Sequence, residues 1–185
     1  LIPHLGGIFH ADEMFIKARK DWKYYWDCLD YETKFLIADH LSNERNDQEA
    51  IEFLNKIKTG SPELPEAIHT DCSYDYPPAF RKVFPRRRIH IQYPSWKKKF
   101  KNNPIERLHN TWKQRYKVLR GFDNVAGSKS FFDFLGVYYN FIRKHTTLGN
   151  KTPAQAAQIE LLLKRNRLKS MIEILLVHYK TRFCC

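Results

Sequence analysis

The chain has 185 residues, of which 43% are hydrophobic and 28% are charged. This composition suits one globular domain with a substantial core and excludes a disordered or fibrous protein. The four cysteines form no CxxC or Cys/His pair at zinc-binding spacing, and no apolar run is long enough to cross a bilayer, so we expect a protein of the reducing cytoplasm with no membrane partner. The opening residues carry neither a basic secretory leader nor an initiator methionine, which leads us to expect a truncated chain.

Positive charge is concentrated in one segment. The net charge is +12, and the segment Arg81–Lys129 holds 15 of the 32 basic residues but only two of the 20 acidic residues. Such an excess is typical of a surface that binds phosphates, so we expect nucleic acid as the partner. The alternative is a solvated basic surface that only maintains solubility.

The chain begins with patterns typical of strands. Three apolar or aromatic runs with short connections predict an antiparallel meander over Ile8–Lys17, Trp22–Leu29 and Lys34–Leu41. A helix follows, introduced by Asp47 and ended by Gly60, because apolar residues recur between them at helical spacing.

The next patterns alternate between the two element types. Glu66–Thr70 is predicted as a short strand, Tyr76–Phe84 as a helix opened by a proline pair, and Arg88–Gln92 as another strand. The order of three strands, then helix, strand, helix and strand, indicates a mixed α/β fold.

The clearest predicted element is a helix that begins at Asn103-Pro104, an N-cap residue followed by proline at the first helical position. An apolar stripe extends this helix to Arg120-Gly121. The stripe consists of Ile105, Leu108, Trp112, Tyr116 and Leu119. The opposite, polar face carries Glu106, Asn110, Lys113, Lys117 and Arg120.

Helices are also predicted in the last third of the chain. Ser130–Arg143 is rich in aromatic residues, and Thr152-Pro153 opens a helix that we expect to run through Leu161–Leu163. The final stretch, to Cys185, is expected to be helical and to fray.

Three acidic residues have positions that suggest a catalytic, metal-binding role. Asp12 lies inside the first strand, Asp71 ends a later strand, and Glu106 lies in the first turn of the capped helix. Burying an ionised carboxylate in apolar surroundings costs free energy. Three carboxylates that converge also repel one another unless a cation neutralises them. Oxygen ligands without cysteine or histidine favour Mg²⁺ or Mn²⁺. Beside a phosphate-binding segment, such a site suggests two-metal phosphoryl transfer.

Each of these acids also has a structural interpretation. Glu106 lies three residues after Asn103 and could complete a capping box. Asp71 could cap the turn that follows it. Glu13 could point inward in place of Asp12, and the spacing alone does not choose between them.

Several segments resemble the integrase-core domain of insertion-sequence DDE transposases, within the retroviral-integrase superfamily. The matching segments are HADEMFIK around Asp12, IHTDCSYDY around Asp71, NNPIERLHNTWKQR around Glu106, RGFDN at 120–124 and YNFIRKHTTLGNKTPAQAA at 139–157. The 34 residues between Asp71 and Glu106 fit the pattern of this family, and Lys113 matches a basic residue that the family keeps on that helix. The resemblance covers residues 9–159.

The resemblance implies a ribonuclease H-like α/β fold, with a mixed five-stranded sheet of three antiparallel strands and two more, flanked by helices. It selects Asp12 over Glu13 and implies that Asp12, Asp71 and Glu106 are catalytic and bind two Mg²⁺ (or Mn²⁺) ions. Residues 1–159 are then the DDE catalytic domain and residues 160–185 a helical C-terminal tail that diverges from the family. The family's N-terminal helix-turn-helix domain is expected to be absent, and Lys144 replaces a common proline.

The function implied by the resemblance is Mg²⁺-dependent DNA cleavage and strand transfer of an insertion sequence. The expected partners are transposon-end and target DNA and further copies of the chain, as a homodimer or larger synaptic complex, in a prokaryotic cytoplasm in association with the nucleoid. One alternative is a truncated, inactive DNA-binding remnant. Another is a ribonuclease H-like nuclease that cleaves RNA–DNA hybrids or junctions.

Basic residues on the predicted helix and before it are expected to contact DNA phosphates. They are Lys113, Lys117 and Arg120 on the Glu106 face, and Arg86, Arg87, Arg88, Lys97, Lys98 and Lys99 in the preceding basic loops. Such contacts predict salt-sensitive binding with little sequence specificity. Trp96 either stacks on an unpaired base or covers an edge of the core. His10, His69 and His109 are expected to be structural.

Overall fold

The computed structural model describes residues 1–94 and 103–183, which form a mixed sheet with helices on both faces. Its five strands are β1 (Ile8–Ala18), β2 (Asp21–Asp30), β3 (Leu36–Ser42), β4 (Ala67–Thr70) and β5 (Ile89–Gln92). In space the order is β3-β2-β1-β4-β5. Strands β1, β2 and β3 pair antiparallel, whereas β4 runs parallel to both β1 and β5. The predicted mixed five-stranded sheet is therefore confirmed.

Six α-helices accompany the sheet in the described part of the chain. They are α1 (Asp47–Gly60), α2 (Tyr76–Val83), α3 (Asn103–Tyr116), α4 (Val125–Val137), α5 (Pro153–Ala156) and α6 (Arg167–Phe183). Among the described residues, no helix combines the length and the apolar character needed to span a membrane.

Helix α3 ends earlier than its polar and apolar stripes predict. It stops at Tyr116, and a single 3-10 turn follows over Lys117–Leu119. Arg120 then has a left-handed backbone with φ of 57°, which ends helical geometry. The expectation that Lys117 and Arg120 continue one helix face with Glu106 is therefore wrong, and only Lys113 of the three cations lies on α3.

Two further helix boundaries differ from the sequence expectation. Helix α4 begins at Val125 rather than Ser130, because the Asn124 side chain accepts a hydrogen bond from the Gly127 N–H at 2.6 Å and caps the helix. Helix α5 ends at Ala156 rather than Leu163, and the left-handed Gln158 (φ 60°) lies in the chain that leaves it. The cap at Asn124 therefore sets the start of α4, and the apolar residues Leu161–Leu163 do not extend α5.

The two faces of the sheet pack against different helices. On one face, Phe9 and Ala11 of β1 contribute to a core formed with α1 and α2. On the other, Met14 and Ile16 contribute to a core formed with α3 and α4. Because neighbouring strand residues point to opposite faces, Asp12 lies on the α3 side and Glu13 on the α1 and α2 side.

Candidate functional site

Two of the three predicted acids meet at the junction of β1 and β4. The parallel register pairs His10 with His69, so Asp71, the first residue after β4, comes level with Asp12 in the middle of β1. One ligand oxygen from each of Asp12, Glu13 and Asp71 lies within 4.8 Å of the others. The fold thus brings together residues that are about 60 positions apart in the sequence.

Asp12 is a largely buried carboxylate, and within the described ranges of the chain no lysine or arginine forms an ion pair with it. One of its oxygens accepts a hydrogen bond from the Glu13 N–H at 3.0 Å, and the other lies 3.7 Å from Nδ1 of His109. Burial, with added repulsion from Glu13 and Asp71, raises the pKa of Asp12 to about 7, although His109 opposes the shift. Burial lowers the pKa of His109 itself to about 4, so this ring is neutral at pH 7.

Glu13 already has a cation and a hydroxyl donor. Its side chain is only 4% exposed and lies 2.5 Å from Nη2 of Arg45, while the Tyr76 hydroxyl donates a hydrogen bond at 2.8 Å. Arg45 also lies 3.4 Å from Asp71 and 3.8 Å from Asp75. Burial and the nearby Asp71 nevertheless raise the pKa of Glu13 to about 7, against the opposing effect of Arg45.

Glu106 occupies the first turn of α3, as predicted, and its side chain is exposed. The helix is anchored by Ile105, Leu108 and Trp112, which are buried against the sheet. The charge of Glu106 acts on His109, one turn further along, and favours the protonated ring. Within the described residues, Glu106 stands outside the group formed by the other acids.

The donor set of this cluster suits a hard divalent cation. It offers only carboxylate oxygens, the ligands that Mg²⁺ and Mn²⁺ prefer. Among the residues that the structure describes, Arg45 neutralises the Glu13 side of the cluster, while the group beside Asp12 is the imidazole of His109, which is neutral at pH 7. A cation held between Asp12 and Asp71 would offset the burial of the Asp12 charge, the main cause of its raised pKa, and its repulsion by Glu13 and Asp71.

A second layer of polar residues lies behind Asp12. Asp27 of β2 pairs in register with Asp12, is fully buried, and accepts a 2.9 Å hydrogen bond from Nε1 of Trp112. Nε2 of His109 lies 3.3 Å from the same Asp27 oxygen. Burial and the nearby Asp39 raise the pKa of Asp27 well above its usual range. His109 thus lies between two acids, one at the candidate site and one in the core.

Sequence reasoning missed several residues of this site. His109 was expected to be structural, yet it lies beside Asp12. Its position three residues after Glu106, on the inward side of α3, was the signal available for it. Arg45 lies in the segment between β3 and α1, where no periodic pattern indicates which way a side chain points.

The predicted DNA-contacting residues fall into three places. Lys113 is exposed on α3, Lys117 and Arg120 are exposed in the turn after it, and Arg86 and Arg87 are exposed between α2 and β5. Arg88, the next residue, is half-buried. Lys97, Lys98, Lys99 and Trp96 lie outside the described residues.

Comparison with solved structures supports the fold. A chain of the simian T-cell lymphotropic virus intasome, solved in complex with the PP2A regulatory subunit B56 gamma, aligns with a TM-score of 0.65 and 15% identity over 89% of this chain and 58% of that chain. The HTLV-2 integrase catalytic core domain in complex with magnesium aligns with a TM-score of 0.56 and 16% identity, over 85% and 98% of the two chains. The catalytic domain of Mos1 mariner transposase gives 0.52 and 10%, over 71% and 70%. The architecture is therefore the ribonuclease H-like fold of integrase and transposase cores.

These comparisons differ in how much of each protein they cover. This chain spans a little over half of the intasome chain, 58% of its length, but nearly all of the HTLV-2 core domain. No curated protein matches the sequence. A family model described as a DDE domain, DDE_Tnp_IS240, matches residues 7–145, three quarters of the chain, and includes Asp12, Asp71 and Glu106. The chain belongs to this family of transposase DDE domains.

Proposed function

We propose that this protein is a polynucleotidyl transferase that cleaves one DNA strand at a transposon end and joins the freed 3′-hydroxyl to target DNA. The observation that carries the proposal is the convergence of Asp12 and Asp71, whose carboxylate oxygens lie within 4.8 Å beside a helix that carries Glu106 in its first turn. Membership of the DDE family and the magnesium-bound HTLV-2 core domain support the same chemistry.

Asp12, Asp71 and Glu106 would hold two Mg²⁺ or Mn²⁺ ions in this proposal. The ions would make a water or a 3′-hydroxyl a better nucleophile and would offset the charge on the phosphate. Arg45 keeps Asp71 in place through its contact at 3.4 Å while it neutralises Glu13. The Ser73 N–H donates a hydrogen bond to Asp71 at 2.9 Å and fixes its other oxygen.

The DNA partner and the assembly state rest on charge and on the relatives. Exposed Lys113, with Lys117 and Arg120 beyond it, would contact phosphates next to the carboxylates, and Arg86, Arg87 and Arg88 would extend this contact. HTLV-2 integrase cores were solved in dimeric and trimeric forms, and the simian virus chain lies in an intasome. We extend this to a homodimer or larger complex that pairs two transposon ends.

Replacement of Asp71 tests the chemistry. Asp71→Asn keeps the oxygen that Ser73 hydrogen-bonds but removes a ligand charge, so Mg²⁺-dependent cleavage and strand transfer should fall by about a thousandfold or more. Asp75→Asn is the matched control, because Asp75 also faces Arg45 but does not belong to the acid cluster. Products are followed on duplexes that carry the ends of the DNA element flanking the coding sequence, with Mg²⁺, Mn²⁺ or EDTA.

Three other results would contradict the proposal. Equal activity of Asp71→Asn and the wild-type protein would exclude these carboxylates from the reaction. DNA binding without any product, with either metal and with pre-cut ends, would identify an inactive DNA-binding remnant. Cleavage of RNA–DNA hybrids without strand transfer would identify a ribonuclease H-like nuclease.

A further inference from the structure

A cleft of about 710 Å³ opens along α3 on the side away from Glu106 and Lys113. Pro104, Arg107 and Thr111 form its helical wall, at spacings of three and four residues. Because each helical residue turns by about 100°, this wall and the face with Glu106 and Lys113 point in nearly opposite directions. The cleft is therefore separate from the carboxylate cluster, although both are built on the same helix.

The cleft carries more positive than negative charge. Lys34, Arg107, Arg143 and Lys144 line it, against one lining acid, Glu32. These cations come from the turn before β3, from α3 and from the segment after α4, so the tertiary fold brings them together. Several positive charges spread over three elements match the successive phosphates of a polyanion better than a single small anion.

The cations of the cleft are close enough to act on one another. Burial and the charge of Arg107 lower the pKa of Lys34, although Asp30 opposes the shift. Burial, together with the charges of Arg143 and Lys34, lowers the pKa of His145, another lining residue, to about 4. Their convergence has an electrostatic cost that a bound anion would relieve.

The wall opposite α3 is ordered by its own hydrogen bonds. Nη1 of Arg143 donates to the Thr111 hydroxyl at 2.9 Å and ties the segment to α3. The His145 N–H donates to the Lys151 carbonyl at 2.9 Å, and the Asn150 N–H donates back to the His145 carbonyl at 3.0 Å. The Arg143 side chain and the backbone at His145 are thus fixed by contacts within the protein, which favours binding because less freedom is lost when a ligand binds.

Lys34, which lines the cleft, has a left-handed backbone conformation. Its φ of 58° lies in the left-handed region, which is strained for lysine. The ammonium lies 4.2 Å from the centre of the Tyr31 ring and donates to the Tyr31 carbonyl. Asparagine adopts this backbone conformation more readily than lysine, so strain and charge can be separated by substitution at this position.

We propose that this cleft binds the phosphate backbone of a second DNA segment, distinct from the segment held at Asp12 and Asp71. The inference rests on the proposed function, because DNA is the polyanion that a strand-transfer enzyme handles twice, as donor and as target. The cleft accounts for basic residues that the carboxylate site does not use, and Lys144 is one of them.

The test compares two double variants with equal loss of charge. Lys34→Asn with Lys144→Gln removes two cations of the cleft. Lys58→Gln with Lys169→Gln removes two exposed lysines that do not line it. Binding to a duplex of random sequence is measured by fluorescence anisotropy in EDTA over a range of KCl concentrations. The cleft variant should lower the slope of log affinity against log salt by about 2, because each phosphate contact contributes about 0.9.

The remaining readouts separate the cleft from the catalytic proposal. Lys34→Asn relieves backbone strain but also loses the contacts of the ammonium with Tyr31, so the unfolding temperature of the cleft variant should stay close to that of wild type. Binding is compared at a temperature at which both proteins are folded, so weaker binding cannot be attributed to unfolding. A slope equal to wild type, or an equal fall in the control variant, would overturn the proposal for the cleft. Mg²⁺-dependent cleavage by the wild-type protein in the same preparation would leave the proposed function standing in that case.

Discussion

Asp12 and Glu13 are neighbours in β1 that point to opposite faces of the sheet, and both approach Asp71. The Glu13 side chain is 4% exposed, with Arg45 and a tyrosine hydroxyl as partners. The Asp12 side chain is 21% exposed and has a neutral histidine beside it. Glu13 thus belongs to a structural ion pair, whereas no lysine or arginine of residues 1–94 and 103–183 forms an ion pair with Asp12.

The pKa values do not distinguish these two acids, since burial raises the pKa of both to about 7. The surroundings do distinguish them. A carboxylate that already binds a guanidinium gives up an existing ion pair to ligate a metal, while one without such a partner gains a counterion. On this ground, which does not depend on the resemblance to DDE transposases, we propose Asp12 rather than Glu13 as the metal ligand.

The largest expected effect is the difference between Asp12→Asn and Glu13→Gln in their response to Mg²⁺. Asp12→Asn should lower Mg²⁺-dependent strand cleavage by about a thousandfold or more, because it removes a ligand charge. It should also abolish any rise in unfolding temperature caused by Mg²⁺. Glu13→Gln should retain that rise, because the carboxylates of Asp12 and Asp71 remain and Arg45 keeps Asp71 and Asp75 as partners.

Thermal unfolding with and without Mg²⁺, together with a cleavage assay, measures both variants. The assignment of Asp12 as the metal ligand would be wrong if Glu13→Gln lost the response to Mg²⁺ and Asp12→Asn kept it. NaCl at the same ionic strength in place of MgCl₂ provides a control for effects of ionic strength.

The sequence could predict the five strands and the antiparallel meander of the first three far better than the surroundings of the site. Alternation along β1 places Asp12 and Glu13 on opposite faces, but it does not say which helix covers each face. That depends on α1, α2 and α3 packing across distant parts of the chain, as does the contact of Arg45 with Glu13. The resemblance to a family, rather than spacing, therefore selected Asp12.

A second effect concerns Asp27, the fully buried acid behind the site. Its pKa in the folded protein is raised, so ionisation of the unfolded chain destabilises the fold as the pH rises above the usual carboxyl value. Asp27→Asn removes this cost and should raise the unfolding free energy by about 1–3 kcal/mol near pH 8, with a smaller gain towards pH 4. Urea unfolding at several pH values measures the difference.

Trp112→Phe serves as the matched control for Asp27→Asn. It removes the indole N–H that donates to Asp27 and should destabilise the protein, because a buried oxygen loses its donor. A gain from Asp27→Asn that does not change with pH would indicate that packing, rather than ionisation, sets the cost at this position.

The early end of α3 shows a second limit of pattern reasoning. The spacing of Glu106, Lys113, Lys117 and Arg120 fits one helix face, yet the helix changes to a 3-10 turn at Lys117. Tyr116 explains part of this end, because its hydroxyl accepts a 2.5 Å hydrogen bond from the Lys17 N–H of β1. Contacts with β1 thus hold the end of α3, and local spacing carries no information about such contacts.

The smallest expected effect concerns Lys113, the one predicted DNA-contacting cation that stays on α3 with Glu106. Lys113→Ala should weaken DNA binding only a few-fold and lower the salt slope by about 1, because it removes a single phosphate contact. Asn110→Ala, on the same exposed face, is the uncharged control and should leave the slope unchanged. An unchanged slope for Lys113→Ala would show that DNA does not contact this face of α3. The role of the carboxylate cluster would still be tested separately by Asp71→Asn.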